Sequence, residues 1–272
     1  MILFFSCKRE THFVESHYYK TGSLLNEVSY RIEDTVKDGI SKEYYENGSI
    51  KKIVNYENGK LKDTSKIFFD SGELEFLEVR TKDTIYTYHY YKNGKTSIKG
   101  NFLNTNPPKE IGWFRLFSDN GMLTDSIEYV IIEGNSILNQ RKHYRNNSIL
   151  MDSSNFYNFK LSKISNNSTL HQLKIKYIPE IKEAQTYLVI SDSTYTGYDD
   201  IDESILDTFY MENNELIAKK AFDKKYKKLM GFFYEYNPIV KDTLENDSIR
   251  IIIQEKKVYF NETVYVTDTI DK

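Results

Sequence analysis

The side chains best suited to acid–base or metal chemistry near neutral pH are the five histidines, because imidazole titrates there unaided. His17 and His89 occupy the same context, HYYKTG and HYYKNG, directly before two tyrosines and a glycine. His143, in HYRNNS, falls one position later. A row of imidazoles along a sheet would bind metal only if the rings met within ligand distances of about 2 Å. The equivalent slot holds Glu43, Ile67 and Leu116 in related segments. A slot that accepts a carboxylate and two aliphatics is a strand position. His17 and His89, three copies apart, would lie roughly 25 Å from each other if each hairpin adds two strands at about 4.8 Å spacing. The histidines therefore read as scaffold, and no metal site is expected.

Other chemistry is equally thin. The chain contains no GxSxG elbow, no HExxH and no P-loop, and a Ser/His/Asp triad has no sequence-local signature. YDDIDES gathers Asp199, Asp200, Asp202 and Glu203. Its carboxylates suit calcium, but the loop lacks the glycine and spacing of an EF-hand and reads as a solvated acidic loop. AKKAFDKKYKKL, from Ala218, carries Lys219, Lys220, Lys224, Lys225, Lys227 and Lys228. Such a cluster would suit anionic lipid or nucleic acid, or else a charged hairpin tip that keeps strand edges apart. No catalytic residue and no cofactor are assigned, and the chain is expected not to be an enzyme.

The bulk numbers narrow the class. A net charge of -3 over 272 residues lacks the basic excess of a nucleic-acid footprint. No window approaches the roughly 18 apolar residues of a membrane-spanning helix. Aromatic residues make up 15% of the chain, which favours the half-buried pleated surface of strands.

The elements that must position these side chains are repeated. Aligning on a turn glycine gives Gly22, Gly48, Gly72, Gly94 and Gly121, with Asn147 in the same role. The spacings are 26, 24, 22, 27 and 26 residues by subtraction. Before the glycine come Tyr18–Tyr19, Tyr44–Tyr45, Phe68–Phe69, Tyr90–Tyr91 and Phe117. Two residues after it come Leu24, Ile50, Leu74, Thr96, Leu123 and Ile149; eight after it come Tyr30, Tyr56, Phe102 and Tyr129, with Arg80 breaking the pattern. Asn-Gly pairs at Asn47, Asn93 and Asn120 supply the positive-φ residues of tight hairpin turns. One hairpin alone is too small to be stable, so successive hairpins must stack.

The stretch DGISKEYYENGSIKKIVNYENGKLK, Asp38 to Lys62, with its G-x-x-x-x-Y-Y-x-N-G core, resembles the MORN-repeat variant family. The resemblance covers about residues 16 to 152. It implies a scaffold that binds proteins or lipid surfaces. Members of the family also carry a label as antitoxins, which leaves an antitoxin or immunity-type protein as the alternative function.

The single cysteine excludes an intrachain disulfide. Its setting, MILFFSC followed by Lys8 and Arg9, resembles the lipobox of bacterial lipoproteins, of the type common in the Bacteroidota. That resemblance implies lipidation at Cys7 and anchoring in the cell envelope, at the outer membrane's periplasmic side or surface. No basic residue precedes Cys7, which points to a start upstream of Met1.

Ten of the twelve glycines lie between Gly22 and Gly134, so the chain changes character near residue 155. Beyond it, Leu173, Ile175 and Tyr177 alternate with Lys174 and Lys176, a half-buried strand. Asn213–Asn214 suggests a hairpin turn, and LMGFFYEY places Met230, Phe232, Tyr234 and Tyr236 on one face. SIRIIIQEKKVYFNETVYV reads as a buried strand, a turn near Glu255–Lys256, and a closing strand. About seven strands with little helix signal argue for a β-sandwich. The expected fold is all-β: a lipobox-like start and linker over 1–15, an elongated array of β-hairpin repeats over 16–154, and a β-sandwich-like domain over 155–272.

The expected function is a non-catalytic scaffold, lipid-anchored and binding a protein or envelope polymer, with no nucleic acid among its partners. Aromatics on a one-layer sheet are the candidate contacts: Tyr18, Tyr19, Tyr44, Tyr45, Tyr90, Tyr91 and Trp113. Tyrosine suits a wet face because its ring is apolar and its hydroxyl stays hydrated.

Overall fold

The computed structural model describes residues 11–163, 170–191, 198, 207–221, 226–243 and 249–265. Cys7 and the acidic run Asp199–Glu203 lie outside them, as do the side chains of Lys220, Lys224, Lys225, Lys227 and Lys228. Every strand-forming expectation on the described residues resolves into β-structure. Strands β1 (His12–Tyr18), β2 (Leu24–Arg31), β3 (Gly39–Tyr44), β4 (Ile50–Glu57), β5 (Lys60–Phe68) and β6 (Leu74–Arg80) come first. Then follow β7 (Thr84–Tyr90), β8 (Thr96–Leu103), β9 (Lys109–Phe117), β10 (Leu123–Ile132), β11 (Asn135–Arg145) and β12 (Ser148–Ile149). These twelve pair in chain order into one sheet. The chain divides into two compact units between Thr124 and Asp125.

In the first unit the hairpin turns share one geometry. The residue three before the glycine accepts from the glycine N–H and donates its own N–H four residues on. For Tyr45 these bonds are 2.9 Å from Gly48 and 2.8 Å to Ser49. Only the glycine is left-handed, with φ between +77° and +100° over Gly22, Gly48, Gly72, Gly94 and Gly121. This is a three-residue loop, a type I turn closed by a left-handed bulge residue, and the ladder shifts there, as between Glu43 and Tyr44. The expectation that Asn-Gly supplies a pair of left-handed residues is corrected. Asn47, Asn93 and Asn120 keep negative φ and instead cap the turn, their Oδ1 atoms accepting from Ser49 N at 2.9 Å, Lys95 N at 3.0 Å and Met122 N at 3.1 Å. A true two-residue turn stands at Asn58–Gly59, where both φ values are positive.

In the second unit Asn146 and Asn147 are both left-handed, closing Arg145 against Ser148. Asn147 thus shares the glycine's conformation but sits in a different, two-residue turn. Beyond a 3-10 turn at Met151–Ser153 come, among the described residues, seven strands: β13 (Phe156–Lys163), β14 (Leu170–Ile178), β15 (Gln185–Ser191), β16 (Asp207–Tyr210), β17 (Glu215–Ala221), β18 (Tyr226–Thr243) and β19 (Ile249–Tyr265). They form a three-stranded sheet, β13-β14-β17, and a four-stranded sheet, β16-β15-β18-β19.

The two sheets bury one core between them. Leu173, Ile175 and Tyr177 of β14 meet Leu188 and Ile190 of β15, Leu229 and Phe233 of β18, and Val258 and Phe260 of β19. Lys174 and Lys176, one residue off, face water. Asn213–Asn214 forms the expected tight two-residue turn, both residues left-handed and Glu212 bridged to Glu215, although the strands that flank it, β16 and β17, belong to different sheets. Met230, Phe232, Tyr234 and Tyr236 share a face of β18, yet the inter-sheet core takes the opposite parity, Leu229, Phe233 and Glu235. The expected turn near Glu255–Lys256 is absent. β19 runs straight through, because β18 continues beside it, with Tyr234 donating to Glu255 at 2.7 Å, while Lys256 bonds Glu180 of the loop between β14 and β15. Its first stretch is not buried either, with Ile251 and Ile253 exposed.

Candidate interaction surface

Strand pairing in the first unit assembles cross-strand rows from residues far apart in the chain, since directly opposed residues share a face. One row runs His17, Asn26, Glu43, Lys52, Ile67, Phe76, His89, Ile98 and Leu116. The histidine slot is therefore one line across the sheet, polar at one end and apolar at the other. His17 Nδ1 bonds Asn26 Oδ1 at 2.8 Å. The His89 ring packs 4.7 Å from Phe76, and desolvation by its neighbours holds its pKa below the ordinary histidine value. Beside this row on the same face lies a line of mostly small residues, Ser41, Val54, Ser65, Glu78, Thr87 and Gly100. Ser41, Val54, Ser65 and Thr87 are buried, because longer side chains of the flanking rows close over them. A shallow pocket of about 130 Å³ opens here, lined by Ser41, Glu43, Lys52, Val54 and Tyr56.

The opposite face carries a different row: Lys42, Ile53, Lys66, Leu77, Tyr88, Lys99 and Arg115. Four cations share this row with Ile53, Leu77 and Tyr88. Among the described residues Lys42, Lys66, Lys99 and Arg115 form no ion pair; Lys99 lies 5.6 Å over the Phe117 ring. A row of this composition can cover an apolar ridge while meeting negative charge. Sequence reasoning missed it, because its members stand eleven to sixteen residues apart by subtraction. The register shifts at the bulges decide which of them align.

The aromatic pairs hold the hairpins together. Tyr19 donates its hydroxyl to the Tyr44 carbonyl at 2.8 Å, Tyr45 to Phe68 at 2.7 Å and Tyr91 to Phe117 at 2.8 Å. Each thus clips its turn to the next repeat. The turn asparagines add a second tie: Asn47 Nδ2 reaches the Asp70 carbonyl at 3.2 Å and Asn93 Nδ2 the Asp119 carbonyl at 2.8 Å. Tyr44 donates to Glu27 at 2.7 Å, which pushes its pKa up to about 12. Tyr90 and Trp113 are half-buried, whereas Tyr18 is 62% exposed. Of the aromatics expected to meet a partner, Tyr18 presents the most open ring.

At the third repeat Phe69 occupies the clip position and lacks a hydroxyl; Lys92 spans that joint by pairing with Asp70 at 3.3 Å. Tyr45→Phe and Tyr91→Phe are each expected to lower stability by about 1 kcal/mol. Phe69→Tyr, by adding the missing hydroxyl, is expected to raise it by roughly 0.5–1 kcal/mol. Urea unfolding of the full chain measures all three, and a gain from either Tyr→Phe change would refute the clip.

With this geometry in view, the comparison with protein families is specific. Residues 37–58 match the model of the MORN repeat variant. The matched segment contains Gly39, the Tyr44–Tyr45 pair and the capped turn at Gly48. A search of curated proteins finds no match to the chain. MORN repeats in general are non-catalytic modules that bind proteins or membranes.

Proposed function

We propose that this chain is a lipid-anchored, non-catalytic scaffold of the bacterial cell envelope, tethered through Cys7, that holds an acidic protein or envelope polymer against the hairpin sheet. The observation that carries this reading is the row Lys42, Ile53, Lys66, Leu77, Tyr88, Lys99 and Arg115. Its cations have no internal ion pair among the described residues. Surface charges so placed steer and select a partner of opposite sign, and their effect weakens with salt. The tyrosine clips support the same assignment, since hydroxyls bonded to the next hairpin keep the sheet in register while its face meets a partner.

The test compares the wild-type chain with Lys42→Glu/Lys66→Glu/Lys99→Glu in capture from envelope extracts at low and high salt. Wild type is expected to retain a salt-sensitive partner that the triple variant loses, with circular dichroism and melting temperature unchanged. Equal capture by both proteins would sink the assignment of this face. Cys7→Ser tests the anchor separately: the protein should move from the membrane to the soluble fraction, and unchanged fractionation would remove the lipidation from the proposal.

A further inference from the structure

The first strand of the hairpin sheet has a neighbour on one side. β1 pairs with β2 and, among the described residues, with nothing beyond its other edge. All seven of its residues, HFVESHY, are exposed. The two ends of the hairpin fix which backbone groups face outward. Tyr19 N donates to Ser23 O at 2.8 Å, and Thr11 O accepts from Ile32 N at 2.9 Å. Bonded and non-bonded positions alternate along an antiparallel ladder, so Phe13, Glu15 and His17 bond β2. Val14, Ser16 and Tyr18 turn their N–H and C=O groups away from it. Natural sheets blunt such an edge with lysine, proline or a bulge. β1 has no lysine and no proline, and its ladder shifts only at the turn end, between His17 and Tyr18.

A second copy of this chain matches that edge in one register. In an antiparallel seam about a two-fold axis, bonded pairs form only between outward-facing residues, so the axis passes through a residue. The centres that overlap most of β1 are Val14, Glu15 and Ser16. Centring on Glu15 sets two carboxylates directly opposite at the closer, non-bonded spacing of about 4.5 Å, which like charges resist. Centring on Val14 sets Glu15 against Phe13 and leaves Tyr18 outside the overlap. Centring on Ser16 sets Glu15 of each copy opposite His17 of the other, and Val14 opposite Tyr18. Val14 and Tyr18, 59% and 62% exposed in the single chain, are the most open apolar side chains of β1, and this seam brings them together. Within one chain Glu15 lies 3.5 Å from His17 Nε2, while His17 Nδ1 is committed to Asn26 Oδ1. The seam therefore gathers two carboxylates and two imidazole Nε2 edges on one face.

We propose that this chain forms a two-fold dimer through β1, antiparallel and centred on Ser16, which joins two hairpin sheets edge to edge. The axis falls on the line of the cation row. Ser16 opposes Glu27, and Glu27 opposes Lys42, so Ser16 stands at the end of the row that runs from Lys42 to Arg115. The axis of an antiparallel seam is normal to the sheet, so the rows of the two copies continue one another on the same face. An extended acidic partner long enough to span both rows would gain avidity. The dimer itself does not depend on what the row binds. Its seam is small beside standard interfaces, so association is expected to be weak and concentration-dependent.

Sedimentation equilibrium of the full chain carrying Cys7→Ser, which leaves no other thiol, tests the state, and cysteine cross-linking tests the register. The chain is expected to be dimeric at about 100 µM and to dissociate on dilution. Ser16→Pro removes the central outward N–H and spares the β2 ladder, since an edge strand tolerates proline where its N–H faces solvent. It is expected to weaken the dimer at least about tenfold with circular dichroism unchanged. Ser16→Lys, which sets like charges opposite one another, serves as the second variant should proline disturb the strand. Ser16→Cys is expected to give a disulfide-linked dimer under mild oxidation, because bonded pairs hold their Cα atoms about 5.5 Å apart, within disulfide range. Val14→Cys and Glu15→Cys should cross-link far more slowly, because this register carries each beyond reach of its equivalent. A monomer at that concentration, the result if residues 1–10 or another protein's strand takes the edge, would overturn the proposal. So would a dimer untouched by both Ser16→Pro and Ser16→Lys, or faster cross-linking of Val14→Cys or Glu15→Cys than of Ser16→Cys.

Discussion

Gly231→Ala is expected to unfold the two C-terminal sheets, or to leave them marginal at room temperature. Gly231 lies in β18, opposite Ile190 of β15 and Phe260 of β19. A β-carbon there would stand 1.9 Å from the Val189 carbonyl oxygen and 2.8 Å from the Phe260 ring. The ring can rotate away at some cost, but the carbonyl belongs to the neighbouring strand. Relief demands that β15 and β18 separate, which breaks ladder bonds worth about 1 kcal/mol each and loosens Leu188, Ile190 and Phe233 in the core. The expected loss is about 3–5 kcal/mol, as for other overpacking changes at the top of the mutational range. That is a large share of the roughly 5–15 kcal/mol that stabilises a domain. Gly94→Ala is the contrast. A β-carbon at Gly94 meets nothing within 4 Å, so only its φ of +77° resists, at a cost of about 1–2 kcal/mol. Urea unfolding with hydrogen exchange on β15 and β18 decides it; a loss at Gly231 no greater than at Gly94 would refute the close-approach argument.

The second large effect is expected at Glu235, a carboxylate with no solvent exposure inside the sandwich. It accepts from the Tyr177 hydroxyl, from Asn155 Nδ2 at 3.3 Å, and from the backbone N–H groups of Glu180 at 3.0 Å and Ile181 at 2.7 Å. Those two amides belong to the loop between β14 and β15, so one side chain satisfies a turn that would otherwise bury bare donors. Glu235→Ala leaves all four donors without it and opens a cavity, and the expected loss is about 3–5 kcal/mol. Tyr177→Phe removes one donor with its hydroxyl and is expected to cost about 1–2 kcal/mol. The double variant should cost less than the sum of the two, because the contact is shared; strict additivity would show that Tyr177 and Glu235 are not coupled.

Alkaline pH acts on the same pair. Burial, followed by the negative charge of Glu235, raises the Tyr177 pKa far above its ordinary value. The folded state therefore favours the protonated phenol. That contribution is complete below the unfolded value of about 10 and declines as pH rises beyond it, since only the unfolded chain releases the proton. Unfolding monitored between neutral and strongly alkaline pH should show this slope in wild type and a shallower one in Tyr177→Phe.

The hairpin array was legible because its causes are local. A left-handed residue is needed once per turn, glycine supplies it most cheaply, and the aromatic pair four and three residues earlier marks the strand end. The alternation of Leu173, Ile175 and Tyr177 with Lys174 and Lys176 was legible for the same reason, a period of two read against water on one side. The turn near Glu255–Lys256 was misread because a polar run looks the same whether it bends or pairs. Only β18 alongside, with Tyr234 aimed at Glu255, distinguishes the two. The type of the Asn-Gly turns was misread because the loop length, two residues or three, depends on how the flanking strands pair.

What the sequence by itself determined is the unit: a strand, a capped turn, a strand, repeated with one glycine per turn, followed by strands of a different character. What only the tertiary structure decided is which units' side chains meet. The tyrosines proved to reach the next hairpin's carbonyls because stacking brings position 45 beside position 68. Lys42, Lys66, Lys99 and Arg115 became one row because each bulge shifts the register of its ladder. Arg141 and Asn155 became neighbours because the chain returns antiparallel beside β11. Turn conformation depends on the few residues within it, whereas rows and pockets depend on pairing between strands, where a single inserted residue changes every partner beyond it.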